Sequence, residues 1–185
     1  MASCFKILDE ILEPSVEAKT VLPDTHIENI FVYALCWSLG ALLELDDRVK
    51  FTGVIRTINP GIIGALPEGD TIFEYYVTEQ GQWQHWDTRV VAWTYPIDYD
   101  PKFAELLIPT LDSIRYESLL SLLQPRGKPV LFTGAAGVSK TATMLQYITS
   151  LDREKWVLKT TPFSFVTTPE IFQVDPRPQT RNPKP

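Results

Sequence analysis

The chain has 185 residues, of which 44% are hydrophobic and 11% aromatic, and its formal net charge is −6. This length suits one domain or two small subdomains, and the apolar content excludes a chain that is disordered throughout. The negative charge argues against nucleic acid as the main partner, because phosphate backbones are bound by clustered Lys and Arg. Binding of a single nucleotide needs only a local positive site and is not excluded.

Neither cysteine usage nor hydropathy indicates a secreted or membrane protein. Cys4 and Cys36 lie far apart without metal-ligand spacing, and we expect buried thiols in a reducing compartment. The N-terminus lacks a basic stretch followed by an apolar one. The longest apolar run, residues 30–43, falls short of the roughly 20 residues that a membrane span requires. We therefore expect a soluble, cytosolic chain without a membrane partner.

Residues 1–58 are predicted to form a small helical bundle. Apolar side chains recur at helical spacing over residues 3–12, and Pro14 is expected to end this first helix. Thr25 precedes Glu28 by three positions, which predicts a capping box at the start of a second helix running to about Leu45. A third amphipathic segment begins at Asp46, although Gly53 weakens it.

Residues 59–107 read as a linker that carries an aromatic β-hairpin. Aromatic and β-branched runs at residues 71–77 and 83–86 flank a Gly-containing loop at residues 78–82. A base-stacking platform is the alternative, but Arg89 is the only basic residue nearby. Packing within a hairpin is therefore the favoured interpretation.

The third region has the order of a βαβ unit. A helix is predicted over residues 113–123, followed by a short buried strand at residues 129–132 that leads directly into Gly134. A second helix is predicted over residues 141–151 and a second strand over residues 156–160. Residues 174–185 are rich in proline and almost devoid of apolar residues, so we expect a disordered tail.

A candidate phosphate-binding loop lies between the first predicted strand and the helix after it. The segment reads Gly134, Ala135, Ala136, Gly137, Val138, Ser139, Lys140 and Thr141. The spacing from Gly134 to the Lys-Thr pair matches the phosphate-loop pattern, but Ser139 stands where glycine is usual. Backbone N–H groups at the start of a helix bind phosphate, a lysine reaches the β- and γ-phosphates, and a threonine hydroxyl ligates Mg²⁺. The pattern predicts that this loop binds ATP or ADP with Mg²⁺.

Hydrolysis requires more than this loop. A second strand that ends in an acidic residue should hold Mg²⁺ and orient the attacking water. None of the acids after the loop closes an apolar strand: these are Asp152, Glu154, Glu170 and Asp175. Nor does a candidate arginine finger follow the loop, since Arg177 and Arg181 lie in the proline-rich tail. We therefore assign no catalytic residue.

Several motifs together resemble dynein heavy chains. Residues 108–116, 127–132 and 134–143 resemble the start of the third AAA+ module, where a loop of the form Gly-x-x-Gly-Thr-Ser-Lys-Thr-Ala-Thr is familiar. Residues 163–169 resemble the segment after that module's second strand. Residues 31–40 and 47–51 resemble the helical lid that closes the second module. Ser139 is accordingly interpreted as a family trait.

The aromatic hairpin extends the resemblance to the axonemal type. Trp83, Trp86 and Tyr95 fit the join between these two modules, and the resemblance covers residues 3–173. Ala135 and Ala136 replace a more usual acidic-polar pair. The tail beyond Gln173 resembles nothing in the family, and we expect it to be of different origin.

The resemblance implies an α/β fold: a truncated P-loop AAA+ nucleotide-binding core, preceded by a small helical lid subdomain and a β-hairpin linker. The implied divisions are a lid-like subdomain at 1–58, a linker at 59–107, the N-terminal part of the P-loop domain at 108–173 and the tail at 174–185. Pro109 and Thr110 would lie near the adenine, and Thr141 would ligate Mg²⁺.

The implied function is that of a fragment of a minus-end-directed microtubule motor of cilia and flagella, contributing a regulatory nucleotide site. Its partners would be the remainder of the dynein ring and the dynein complex subunits, with microtubules reached only through the parent motor. The implied locations are cytoplasm, cytoskeleton and axoneme. The alternative is a non-catalytic nucleotide-binding or interaction fragment without motor activity. A small phosphate-loop kinase is disfavoured, because no lid or acceptor-site Asp/Arg set follows the loop.

Overall fold

Helices dominate the N-terminal part of the chain. The computed structural model describes residues 2–18, 21–63, 66–67, 69–95, 97, 106–124, 127 and 129–169. The N-terminal helices are α1 (Ala2–Glu17), α2 (Asp24–Leu39), α3 (Leu45–Ile58) and the short α4 (Pro60–Ile63). A 3-10 turn, Gly40–Leu42, joins α2 to α3. The predicted helical bundle is therefore present, and Cys36 is a buried thiol within it. The Cys4 side chain lies outside what the structure describes.

The boundaries of two predicted helices are wrong. α1 continues past Pro14, and the Ala18 N–H donates to the Pro14 carbonyl at 3.0 Å. Packing of α1 against α2 offsets the intrahelical donor that proline lacks. α2 begins at Asp24 with Pro23 as its N-cap, so Thr25 lies inside the first turn and forms no capping box. It ends at Leu39 rather than near Leu45.

The aromatic hairpin is confirmed. β1 (Tyr75–Val77) pairs antiparallel with β2 (Trp83–His85), and Tyr76 lies opposite Gln84. The connecting loop turns at Gly81, whose φ is 79°. Trp86 is fully buried against the Tyr76 ring, with the ring centroids 4.7 Å apart. The aromatic side chains therefore pack the hairpin rather than form an open stacking surface.

One side chain of α2 anchors the hairpin loop. The Asn29 amide donates to the Gly81 carbonyl at 2.8 Å and accepts a hydrogen bond from the Trp83 indole at 3.0 Å. Both donor and acceptor of one amide are thus satisfied by the hairpin. This double contact fixes the hairpin on the helical bundle.

A chain of aromatic rings runs from this bundle toward the C-terminal half. Trp37 of α2 contacts Phe73 edge-on at 5.7 Å and Tyr116 at 6.5 Å between ring centroids. Tyr116 in turn contacts Phe132 at 6.0 Å. Tyr116 belongs to α5 (Leu111–Leu123), which packs on α1 and on α6 (Lys140–Ser150). The two helices predicted in this region are therefore confirmed.

The two strands predicted in the C-terminal half are not formed. Residues 129–135 and 156–163 are extended, but within the described chain only β1 and β2 pair in a sheet. Leu131 is 84% exposed and Val157 is 83% exposed, so the predicted burial of the first segment is also wrong. A strand is stable only when its N–H and C=O groups meet a neighbouring strand, and the described residues supply none here. The predicted disordered tail, residues 174–185, lies outside the described residues.

Candidate nucleotide-phosphate site

The candidate loop connects the extended segment at residues 129–135 to the first turn of α6. Gly137 has a φ of 80° and Ser139 a φ of 57°, both in the left-handed region. Ser139 is the N-cap of α6 and its side chain forms no capping hydrogen bond. The loop thus turns tightly into the positive end of a helix, where the first N–H groups have no intrahelical acceptor.

The start of α6 is held from within the helix. The Thr143 hydroxyl donates to the Ser139 carbonyl at 3.1 Å, and the Thr143 N–H donates to the same oxygen at 2.9 Å. Thr143 is buried. These contacts fix the direction in which the helix presents its N-terminus.

Lys140 folds back over the loop. Its ammonium donates to the Gly134 carbonyl at 3.0 Å and to the Ala135 carbonyl. A β-carbon at Gly134 would lie 3.2 Å from a methyl group of Val138, so a side chain there would crowd the loop. The lysine therefore places a positive charge at the mouth of the loop, held by two neutral acceptors that an anion can replace.

Thr110 caps α5 at the far side of the site. Its hydroxyl accepts from the Ser113 N–H at 3.2 Å, while the Ser113 hydroxyl accepts from the Thr110 N–H at 2.8 Å. The helix therefore begins two residues before its predicted start at Ser113, and the reciprocal cap was not predicted. The Thr-x-x-Ser spacing was the available signal.

A cavity of about 860 Å³ joins the two ends of the site. It is lined by residues of α2 and the following turn, the segment before α5, α5 itself, the extended segment and the loop. Among the predicted site residues it brings together Thr110, Val138, Ser139 and Lys140. Pro109, Gly134, Ala135, Ala136, Gly137 and Thr141 do not line it. Trp37 and Tyr116 provide an aromatic wall.

A buried arginine joins α5 to the base of the hairpin. Arg115 is 3% exposed, and its guanidinium donates to Glu74 Oε2 at 2.6 Å and to Asp112 Oδ1 at 3.1 Å. Glu74 also accepts from the Thr71 hydroxyl at 3.4 Å. The sequence alone does not indicate a role for Arg115, because its partner Glu74 comes into contact only when the hairpin is folded against α5.

The contact between α5 and α6 includes a buried phenol. The Tyr147 hydroxyl lies 3.4 Å from the Leu120 carbonyl and 3.4 Å from Gln124 Oε1. Burial, reinforced by the negative charge of Glu117, raises the pKa of Tyr147 above its ordinary value. The contacts of this phenol with Leu120 and Gln124 join α6 to α5.

The acids after the loop have structural contacts in an exposed turn. Asp152 accepts from the Glu154 N–H at 2.9 Å and pairs with Lys155 at 3.7 Å. Glu170 and Asp175 lie outside the described residues, as do Arg177 and Arg181. Across the described parts of the chain, no three His, Cys, Asp or Glu side chains come together as a metal site.

A phosphate loop does not need such a cluster for its magnesium ion. A phosphate-loop Mg²⁺ takes one hydroxyl from the protein and its other oxygens from phosphate and water. The Thr141 hydroxyl is exposed at the first turn of α6, next to Lys140.

In the helices that the structure describes, none is both long and apolar enough to cross a membrane.

Two families match consecutive parts of the chain. A family described as the dynein heavy chain AAA lid domain matches residues 1–88. A family described as the P-loop containing dynein motor region matches residues 95–175. The helical bundle with its hairpin and the loop-bearing part therefore correspond to these two regions, and the predicted fold class is confirmed.

Individual relatives agree with these families. The chain is 41% identical over 170 residues to the dynein gamma chain of the flagellar outer arm of Chlamydomonas reinhardtii, which covers 91% of this chain and 4% of the relative. It is 38% identical over 167 residues to dynein axonemal heavy chain 8 of Mus musculus, covering 89% of this chain and 4% of the relative. It is 34% identical over 171 residues to dynein axonemal heavy chain 5 of Mus musculus, and this match covers 90% of this chain and 4% of the relative.

The chain thus spans about one twenty-fifth of the length of these relatives, since 4% of each is covered. Within that span the match is continuous across lid, hairpin and loop. The chain belongs to the dynein heavy chain family, of the axonemal type, and joins a AAA lid to a P-loop motor region.

Proposed function

We propose that this chain binds ATP or ADP with Mg²⁺ at residues 134–141, as part of a dynein motor. The loop N–H groups and Lys140 hold the phosphates, and the Thr141 hydroxyl ligates the metal. Pro109 and Thr110 lie toward the adenine. The bound Mg²⁺ supplies charge neutralisation between the phosphates, while the chain's own residues bind and orient them.

The observation that carries this proposal is the conformation of the loop. Gly137 and Ser139 adopt left-handed φ angles directly before α6, and the Lys140 ammonium rests on carbonyls of the same loop. Successive N–H groups in such a turn, placed at the positive end of a helix, form a concave site for an anion. An ordinary strand-to-helix turn has no need of a lysine folded over it.

The cavity supports binding of a whole nucleotide rather than of phosphate alone. It extends from Lys140 to Thr110 and is bounded by the rings of Trp37 and Tyr116. A volume of about 860 Å³ lies within the range of small-molecule sites. The positive charge of Lys140 suits phosphates at one end of the cavity, and the apolar walls suit a base at the Thr110 end.

The role of the site is regulatory in this proposal. Asp152 and Glu154 lie in an exposed turn after α6, away from a position that could orient water at the loop. A nucleotide bound here would act on the conformation of the ring. We assign residues 1–58 to the lid of the second AAA+ module, residues 59–107 to the linker and residues 108–173 to the start of the third.

The place of action follows from the relatives' names. Two are named axonemal and one belongs to the flagellar outer arm. We infer that this chain works in the axoneme of cilia or flagella, together with the remainder of a dynein heavy chain and its complex. Microtubules are contacted by the motor as a whole.

A second candidate function is an interaction fragment without motor activity. Apolar side chains are exposed along the extended segments, among them Leu131, Val157 and Phe163. Surfaces of this kind bind other protein segments or aggregate. On this reading the loop would hold nucleotide weakly and the extended segments would carry the function.

An equilibrium titration of the 185-residue chain with Mg-ADP separates the two candidates. Lys140→Ala should weaken ADP binding about tenfold or more, because a charge-assisted hydrogen bond contributes roughly 1.5–3 kcal/mol. Lys155→Ala is the matched control, since it removes the same charge from an exposed turn. It should leave the affinity unchanged.

Equal, weak binding by the unaltered chain and by Lys140→Ala would overturn the proposal and favour the interaction fragment. Equal losses in the two lysine variants would contradict it as well. That result would show that ADP responds to overall charge rather than to the loop.

A further inference from the structure

We propose that Arg115 is a positioning residue that sets the adenine side of the site through the base of the hairpin. This inference rests on the proposed nucleotide binding and names a determinant that the loop motif does not contain. Arg115 does not line the cavity, but its neighbours Asp112, Ser113 and Tyr116 do. It therefore acts on the ligand only through other residues.

The segment that faces the base gets its direction from the N-terminus of α5. Leu107, Ile108 and Thr110 line the cavity immediately before this helix. Thr110 is locked to α5 by its reciprocal cap with Ser113. Any rotation or shift of the first turns of α5 therefore moves these cavity residues with it.

The first turns of α5 are held in place by one buried guanidinium. Arg115 binds Asp112 within its own helix and Glu74 from the turn before β1. Glu74 is itself fixed by the Thr71 hydroxyl and by its place next to the paired strand. A buried guanidinium is costly unless its partners remain in place, so this arrangement allows little freedom. Two directed bonds from one planar group define both distance and orientation.

The phosphate end of the site is tied to this anchor less directly, through the contact between the Tyr116 and Phe132 rings and through α6. The loop is attached to α6, whose contact with α5 lies near Leu120 and Gln124, at the opposite end of that helix. Loss of the Arg115–Glu74 pair should therefore disturb the base-facing segment more than the loop. This difference distinguishes positioning from general stabilisation.

The test compares two ligands that share phosphates but not a base, namely ADP and inorganic tripolyphosphate, each with Mg²⁺. Glu74→Gln removes the carboxylate charge and keeps the side-chain shape. It should weaken ADP binding about fivefold or more, a typical coupling between sites, and leave tripolyphosphate binding unchanged. Arg115→Lys should give the same pattern, because an ammonium cannot bridge both carboxylates with the fork of a guanidinium.

Two control variants, both made in the full 185-residue chain, show what a loss of phosphate binding and a loss of stability look like in this test. Lys140→Ala should weaken both ligands. Ile55→Val removes one buried methyl group from α3, away from the cavity, and lowers stability without changing either affinity. Thermal unfolding of each variant shows whether it is folded at the titration temperature. If Glu74→Gln does not fold, Arg115→Lys provides the test.

Equal weakening of ADP and tripolyphosphate by both Glu74→Gln and Arg115→Lys would overturn the inference, since the pair would then only stabilise the fold. Unchanged binding of both ligands would overturn it too. If the unaltered chain binds neither ligand, the proposed function itself fails. That result is distinct from one in which the unaltered chain binds both and only the positioning role is lost.

Discussion

Ser139 occupies a backbone position that most residues avoid. Its φ of 57° lies in the left-handed region, where a β-carbon meets the following carbonyl at a cost of about 1–2 kcal/mol. The phosphate-loop pattern usually places glycine here, which adopts this conformation freely. The loop conformation is thus maintained against a local preference, as is common where a backbone must face a ligand.

We expect Ser139→Gly to stabilise the chain by about 0.5–1 kcal/mol, because the relief of strain exceeds the added flexibility of glycine in the unfolded state. Ser139→Ala is the matched control, since the serine side chain makes no capping hydrogen bond and alanine keeps the strain. It should change stability by less than about 0.5 kcal/mol. Urea unfolding measures both. A loss of stability in Ser139→Gly would show that the hydroxyl contributes more than the strain costs.

At this scale the sequence predicted the loop but not its internal contacts. The spacing of Gly134, Lys140 and Thr141 indicates where the candidate loop lies. It could not indicate that Lys140 would fold onto carbonyls of its own loop, because that depends on the turns at Gly137 and Ser139. Arg115 was missed for a similar reason: its partner Glu74 is 41 positions away in the sequence.

The secondary-structure elements agree with their predictions where interactions between neighbouring residues determine them. The helices were predicted from apolar spacing, and the hairpin from aromatic runs around a glycine-containing loop. The errors at Pro14 and Thr25 concern helix ends, where capping by Pro23 and packing against a neighbour outweigh local preference. Strand prediction at residues 129–132 and 156–160 failed because pairing is a property of two segments, and no partner strand lies within the described residues.

The hairpin loop offers a test of how tightly it is seated on α2. At Gly81 the φ is 79°, and a β-carbon would run into the ring of His26. Gly81→Ala should therefore destabilise the chain by about 2 kcal/mol or more, from backbone strain and overpacking together. Unfolding in urea, monitored by Trp fluorescence, measures this loss.

Gly53 provides a control with the opposite expected sign. It lies inside α3, and a β-carbon there would meet nothing within 4 Å. Gly53→Ala should stabilise the chain by about 0.5–1 kcal/mol, since alanine favours the helix. A Gly81→Ala variant as stable as Gly53→Ala would contradict the description of the hairpin contact.

Across the whole molecule, α5 connects the two family regions. It packs on α1, binds Glu74 at the base of the hairpin through Arg115, and contacts α6 through Tyr147. The aromatic contacts of Tyr116 with Trp37 and Phe132 follow the same path. The site therefore depends on the lid region as well as on the loop, and a purely local motif search cannot describe it.

Apolar side chains are exposed in the C-terminal half, among them Leu131 and Val157. Neither extended segment has a sheet partner within the described residues. Their apolar side chains account for the second candidate function.

The central claim is that nucleotide binds at the loop and extends toward the segment before α5. An amide NMR titration of the ¹⁵N-labelled chain with Mg-ADP tests it most directly, because every backbone N–H reports its own surroundings. We predict the largest shift changes at residues 134–141 and a second group at Leu107, Ile108 and Thr110, with tripolyphosphate reproducing only the first. Shift changes confined to the extended segment at residues 156–163, or absent at the loop, would contradict the account.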